Sequence, residues 1–330
     1  MKKVISLALA VIMMFAFAAC STEKEAAPAP KEKVNINAYV LSGPTGIGAV
    51  NMMKAAKNGE GLENYNFNVV AAPDEIVSKI SNGEADIAAV ATNLAAKLYK
   101  VTNGGIKIIA VNTLGVLNVL NYKGAEIKSL ADLKGRTIYT TGQGSNPEYI
   151  IDYLLKENGI NPDSDVKIEF KAEGTDLVPV WATDPEAVII APQPVATSIK
   201  MKYEGSAIAL DLTDEWKKVN PQSELMMGCV VVRNEFLNAN PEAVEAFLTD
   251  YEASINAVSS DVETTAALCE EYGIVAKAPT AKSAIPNCNI CFVKGNEMKE
   301  KLTGYLQVLY DADPTSVGGA MPDDNFWYAQ

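Results

Sequence analysis

The chain has 330 residues, a formal net charge of −13 and no histidine. So acidic a surface repels phosphates and excludes nucleic acid as an expected partner, while the missing histidine excludes histidine-based triads, most zinc hydrolase sites and two-histidine iron sites. A hydrophobic content of 48% is that of a packed globular body rather than a disordered chain.

Lys2 and Lys3 precede an apolar run from Val4 to Ala19 that stops at Cys20, the layout of a signal peptide. The run is about 16 residues, short of the roughly 20 needed to span a bilayer, so a permanent transmembrane helix is not expected. Ala18-Ala19-Cys20 resembles the bacterial lipobox, with Phe17 where leucine is usual; the resemblance implies cleavage before Cys20 and lipidation of that residue. The alternative is an ordinary signal peptide cut near Ala18 or Ala19. Residues 1–19 are read as signal peptide and 20–33 as a lipidated flexible tether, because the segment from Ser21 to Lys33 has charges, alanines and two prolines but nothing to bury. What remains is long enough for two domains.

Short β-rich runs then alternate with amphipathic helices, an α/β pattern. A strand is predicted over Asn35 to Leu41, broken by Gly43-Pro-Thr-Gly-Ile-Gly48, and Ala49 to Lys57 reads as a helix. Tyr65 to Ala71 is the second strand, Pro73 to Ser81 a helix, Ile87 to Ala91 the third strand, and a helix opens near Thr92 or Asn93. The long apolar run Ile106 to Val119 carries the chain out of its first block. The second block has a short helix over Leu130 to Gly135, a strand over Arg136 to Thr141 and a helix introduced by Ser145-Asn-Pro-Glu148, the spacing of a capping box. Strands over Val166 to Phe170 and Ala187 to Ala191 flank a short helix, Thr175 to Ala182. Leu225 to Val232 is again apolar, and a helix-rich tail follows, with starts at Asn240-Pro241 and Asp261.

The apolar strands near 114–122 and 225–232 read as paired crossovers. They divide the body into a first lobe, 34–118 and 229–330, built from both ends of the chain, and a second lobe, 119–228. Gly142-x-Gly144 lacks the third glycine of a dinucleotide fingerprint, which disfavours a nucleotide cofactor, and no cofactor is expected. Cys288-Asn-Ile-Cys291 has metal-ligand spacing but no second such pair, so no metal is expected; a disulfide among Cys269, Cys288 and Cys291, or buried free thiols, are the remaining readings. Phe326-Trp-Tyr328 reads as a packing tail.

Three stretches carry a family resemblance: Ser129-Leu-Ala-Asp-Leu-Lys-Gly-Arg-Thr-Ile138, Gly142-Gln-Gly-Ser-Asn-Pro-Glu-Tyr149 and Leu154-Leu-Lys-Glu-Asn-Gly-Ile-Asn-Pro162, with Asn82-Gly-Glu-Ala-Asp86 before the third strand. From about Val34 to Tyr310 the chain resembles the type II periplasmic-binding-protein fold, in the nitrate, sulfonate, taurine and thiamine-precursor (NMT1/THI5-like) branch. The resemblance implies a two-lobed α/β fold with two hinge strands, closing over a solute in the cleft, and an extracytoplasmic, membrane-anchored protein. Its partners would be a small-molecule ligand and an ABC permease with its ATPase, and the protein itself would be a monomer. Loops at the carboxyl ends of strands would supply the contacts, because helix N-termini there leave N–H groups free. In the first lobe these are Gly43, Pro44, Thr45, Gly46, Thr92, Asn93, Asn112, Thr113 and Leu114; in the second they are Gln143, Gly144, Ser145, Asn146 and Gln193. Trp181 is a further aromatic candidate.

None of these residues is arginine or lysine, the charge-assisted donors that sulfonate or nitrate favours. Amide and hydroxyl groups suit a neutral or zwitterionic heterocyclic or aromatic solute of thiamine-precursor type. An alkanesulfonate, taurine or nitrate is the alternative. Enzymes of pyrimidine or menaquinone-precursor synthesis share the fold, but an exported, histidine-free chain is not expected to be one.

Overall fold

The computed structural model describes residues 32–123 and 126–328, so the signal peptide, Cys20 and the tether up to residue 31 lie outside the described residues. The elements in chain order are β1 (Asn35–Leu41), α1 (Val50–Lys57), β2 (Asn64–Val70), α2 (Pro73–Ser81), β3 (Ile87–Ala91), α3 (Thr92–Val101), β4 (Ile106–Thr113) and β5 (Leu117–Asn121). They continue as β6 (Thr137–Thr141), α4 (Asn146–Glu157), β7 (Lys167–Lys171), β8 (Val188–Pro192), α5 (Val195–Lys202), β9 (Ala207–Asp211) and α6 (Leu212–Val219). The last are β10 (Gly228–Arg233), α7 (Pro241–Ser260), α8 (Val262–Glu271), α9 (Ala278–Ala284), β11 (Ile290–Val293) and α10 (Gly295–Ala312).

The strands form two sheets, a six-stranded one in the order β11-β4-β10-β3-β1-β2 and a five-stranded one in the order β7-β6-β8-β5-β9. In the first, β1 runs parallel to β2 and β3, while β10 is antiparallel between β3 and β4. Because β10 returns from the far end of the chain to lie at the sheet's centre, its run Cys229-Val-Val-Val232 is buried throughout, as a strand covered on both faces must be. In the second sheet β6 is parallel to β7 and β8, and β5 is antiparallel to β8 and β9. Helices cover the faces: Ile76 and Ile80 of α2, and Ile150, Ile151, Leu154 and Leu155 of α4, form the buried stripes.

The chain passes from the first sheet to the second in the three residues between Thr113 and Leu117, and returns between Asp211 and Gly228. The two apolar runs seen in the sequence are thus interior strands, β5 and β10, and the passages are the residues beside them. Phe326 is fully buried between Tyr99 and Trp327, and Tyr328 N–H donates to Ile108 O, so the tail packs on the first sheet. The four described cysteines are free thiols, with Cys229, Cys269 and Cys288 buried. No described helix is long and apolar enough to cross a membrane.

Two local details differ from the sequence reading. Ser145 and Glu148 do not form a reciprocal box: Ser145 N–H and Oγ both donate to Gly142 O, and the Glu148 carboxylate instead takes the Gly144 N–H. Pro179 splits the predicted Thr175–Ala182 helix into two short turns, because it removes a backbone donor.

Candidate functional site

On the first-sheet side, β1 ends at Leu41 and Gly43 turns the chain at φ +90°, a conformation glycine adopts without strain. Pro44–Ile47 makes one helical turn. A Cβ on Gly46 would stand 2.4 Å from Leu41 O, so only glycine lets the turn fold back this closely. Beneath it Asn112 Nδ2 donates to Thr45 O at 3.0 Å and to Tyr251 Oη at 2.8 Å, and Thr113 Oγ1 donates to Asn112 Oδ1 at 3.0 Å. Burial pushes the Tyr251 phenol well above its ordinary value, so this network is neutral. At the end of β3, Thr92 Oγ1 donates to Met226 O at 2.7 Å and Thr92 N–H to Met227 O at 3.0 Å, while Leu114 N–H donates to Asn289 O at 3.0 Å.

On the second-sheet side, Gly142 and Gly144 take φ +84° and +67° to bring the chain from β6 into α4. Asn146, the first residue of that helix, is only 7% exposed. Its Nδ2 donates to Tyr305 Oη at 3.3 Å, and its buried Oδ1 meets no donor. Gln193 is 2% exposed and held on three sides: its N–H donates to Val116 O at 2.9 Å, Nε2 to Asn118 Oδ1 at 2.8 Å, and Oε1 accepts from Thr197 Oγ1 at 2.8 Å. Trp181 lies in the core, stacked on Tyr122 with its Nε1 donating to Ala187 O.

Gln193, through Val116, and Thr92 and Thr113, through Met226 and Met227, are tied to the two passages. Met227 N–H donates to Thr113 O, so the returning chain is stitched to both β3 and β4. A Cβ on Gly115 would lie 2.3 Å from Thr213 Oγ1 and 2.6 Å from Leu225 Cδ2, which shows how closely the outgoing and returning passages approach. Ser223 Oγ accepts from Trp216 Nε1, and Trp216 packs edge-on against Tyr305, the partner of Asn146. A continuous chain of contacts therefore runs from Thr92 through residues 223–226 to Asn146. Among the described residues no direct hydrogen bond joins the Gly43–Gly46 turn or Asn93 to Gln143 and its neighbours. The side chains of Thr45, Asn93 and Gln143 have no hydrogen-bond partner among the described residues, whereas those of Thr92, Thr113, Ser145 and Gln193 are engaged by the protein. Sequence reasoning missed Tyr251, Tyr305, Asn118 and Asn289, because each is brought in from an element whose placement no local pattern encodes. It also passed over Glu224, a half-buried carboxylate in the return passage that makes no ion pair among the described residues; after burial, its charge is what raises the Cys291 thiol to about 12.

Solved structures share this architecture. An ABC transporter protein from Parabacteroides distasonis has 22% identity and a TM-score of 0.74, covering 89% of this chain and 99% of its own. The periplasmic aliphatic sulphonate binding protein SsuA from Escherichia coli has 13% identity and a TM-score of 0.67, covering 88% and 94%. The periplasmic nitrate-binding protein NrtA from Synechocystis PCC 6803 has 12% identity and a TM-score of 0.54, covering 81% and 75%. These likenesses establish the fold, a two-lobed α/β periplasmic-binding-protein architecture. No curated protein matches this chain. The sequence matches the NMT1/THI5-like family over residues 60–263, more than half of its length. The chain belongs to the NMT1/THI5-like family.

Proposed function

We propose that this protein is the extracytoplasmic solute-binding component of an ABC importer, anchored to the membrane by a lipid on Cys20, and that it is not an enzyme. Residues 34–118 with 229–330, and residues 119–228, would act as lobes that close on the solute and hand it to a permease. The observation that carries this reading is the Asn146 carboxamide: a buried acceptor without a donor, at the start of α4, whose partner Tyr305 packs against Trp216 of the return passage. An unmet buried acceptor costs free energy, and a solute donor would offset that cost.

The solute would be neutral or zwitterionic, of heterocyclic or aromatic type. Thr45, Asn93, Gln143 and Asn146 offer uncharged donors and acceptors, and Glu224 in the return passage disfavours an anion. The sulphonate and nitrate binders of the same fold support the alternative, an alkanesulfonate or nitrate ligand. Isothermal titration against aminopyrimidines, taurine, longer alkanesulfonates and nitrate separates the two. Tight binding of a pyrimidine supports the first reading; tight binding of taurine with no response to pyrimidines replaces it with the second. Product formation from a candidate substrate would overturn the non-enzymatic assignment.

A further inference from the structure

At the other end of the first sheet, where β4 begins and β10 ends, lies a recess of about 510 Å³, the size of a small-molecule site. Along β4 its Lys107 is roughly 20 Å from Thr113, at about 3.3 Å per residue, so it is separate from the candidate cleft.

Lys100 and Lys107 supply two cations to the recess and Asp323 one anion, on a chain whose formal net charge is −13. The Asp323 carboxylate is already taken by Tyr99 Oη at 2.6 Å and Asn325 N–H at 2.8 Å, and these bonds hold it below the usual carboxylate range. The Lys107 ammonium donates to Asn325 O and Trp327 O, which fixes its position, and its charge is offset in part by the Asp323 carboxylate, which it helps to hold down. Lys100 makes no ion pair or hydrogen bond among the described residues. Around these charges stand carboxamides. Asn103 and Asn238 have no side-chain partner among the described residues, and Asn234 uses Nδ2 on Gly104 O at 2.6 Å while its buried Oδ1 meets no donor. Carboxamides that can both give and accept match hydroxyl groups, and paired ammonium groups match an anion.

We propose that this recess is a second small-molecule site, taking a hydroxylated organic anion of sugar-acid or sugar-phosphate size. Its anionic group lies against Lys100 and Lys107, and its hydroxyls meet Asn103, Asn238 and the Asn234 oxygen. The proposal does not depend on the transport reading.

The test is ligand-observed NMR with the full chain, using gluconate, glucose 6-phosphate, glucose and inorganic phosphate at about 10 mM, where a millimolar site is mostly occupied. Gluconate or glucose 6-phosphate is expected to bind at least tenfold more tightly than glucose and than phosphate alone, and the tighter of the two identifies the anionic group. Lys100→Glu, at an exposed position, is expected to abolish the signal, and Asn146→Ala in the cleft is expected to keep it. No response to either organic anion overturns the proposal. So does equal binding of glucose, equal binding of bare phosphate, or a signal lost in Asn146→Ala and kept in Lys100→Glu.

Discussion

The Asn289 carboxamide donates to Gly115 O at 2.7 Å, which ties the residue preceding β11 to the middle of the three-residue passage between the sheets. The same Nδ2 lies 3.2 Å from Thr213 Oγ1 and 3.3 Å from Asp211 Oδ2 at the start of the return passage, so one side chain touches both. Asn289 sits at φ +48°, a left-handed conformation that asparagine tolerates better than most residues. Asn289→Ala is expected to lose about 1–3 kcal/mol of stability, from the unmet Gly115 carbonyl and the strained backbone together. A denaturant titration measures it, and an unchanged midpoint would show that the contact is not needed to hold the passages together.

Gly115 itself tolerates no side chain. Gly115→Ala places a methyl group inside contact distance of Thr213 and Leu225, and the expected cost is about 1–3 kcal/mol of overpacking. Gly144→Ala is the contrasting case: a Cβ there meets open space, and only its φ of +67° resists. Thermal melts of the two variants should rank Gly115→Ala well below Gly144→Ala.

Asn146→Ala is expected to weaken solute binding at least tenfold, because it removes a buried acceptor beside the passages that the protein leaves unmet. Tyr305→Phe removes only the bond to Asn146 Nδ2 and should weaken binding less. Titration of the identified solute into both variants checks the order, and equal effects would mean that the Asn146 oxygen does not reach the solute.

Tyr149 Oη donates to Asp313 Oδ2 at 2.9 Å, joining α4 to the end of α10. Burial, then the bond to Asp313, push the Tyr149 phenol up to about 12 from 10.0. A raised folded value means that this contribution is complete below pH 10 and fades as pH rises through about 12. The melting temperature of the wild type should therefore fall more steeply across that window than that of Tyr149→Phe. Parallel curves would show that the bond is not coupled to folding.

Burial holds the thiols of Cys269 and Cys288 at about 12, so almost no thiolate exists at neutral pH. Both should resist alkylation in the native protein and react once it is denatured. Recovery of two fewer thiols in denaturant without reductant would instead reveal a disulfide among Cys269, Cys288 and Cys291.

Much of the element order was legible beforehand because it is written in local periodicity. Pro73–Ser81 and Ile87–Ala91 fall where the apolar spacing and the flanking proline and threonine put them. β9 and β11 were not legible: Ala207–Asp211 and Ile290–Val293 are short edge strands, with none of the continuous burial that marks β3 or β10. Among the candidate site residues, local turn chemistry located the Gly43–Gly46 and Gly142–Asn146 loops. It could not say that Thr92 and Gln193 spend their side chains on Met226 and Asn118, since those partners are distant in sequence.

The sequence by itself determined the layered α/β body, the two apolar runs that became β5 and β10, and the absence of arginine and lysine from the candidate loops, because periodicity, turn residues and charge are local properties. Only the tertiary structure decided which of those polar groups remain free. Hydrogen-bond satisfaction in a buried region depends on which distant strands and helices arrive there, as Tyr305 does for Asn146 and Tyr251 for Asn112.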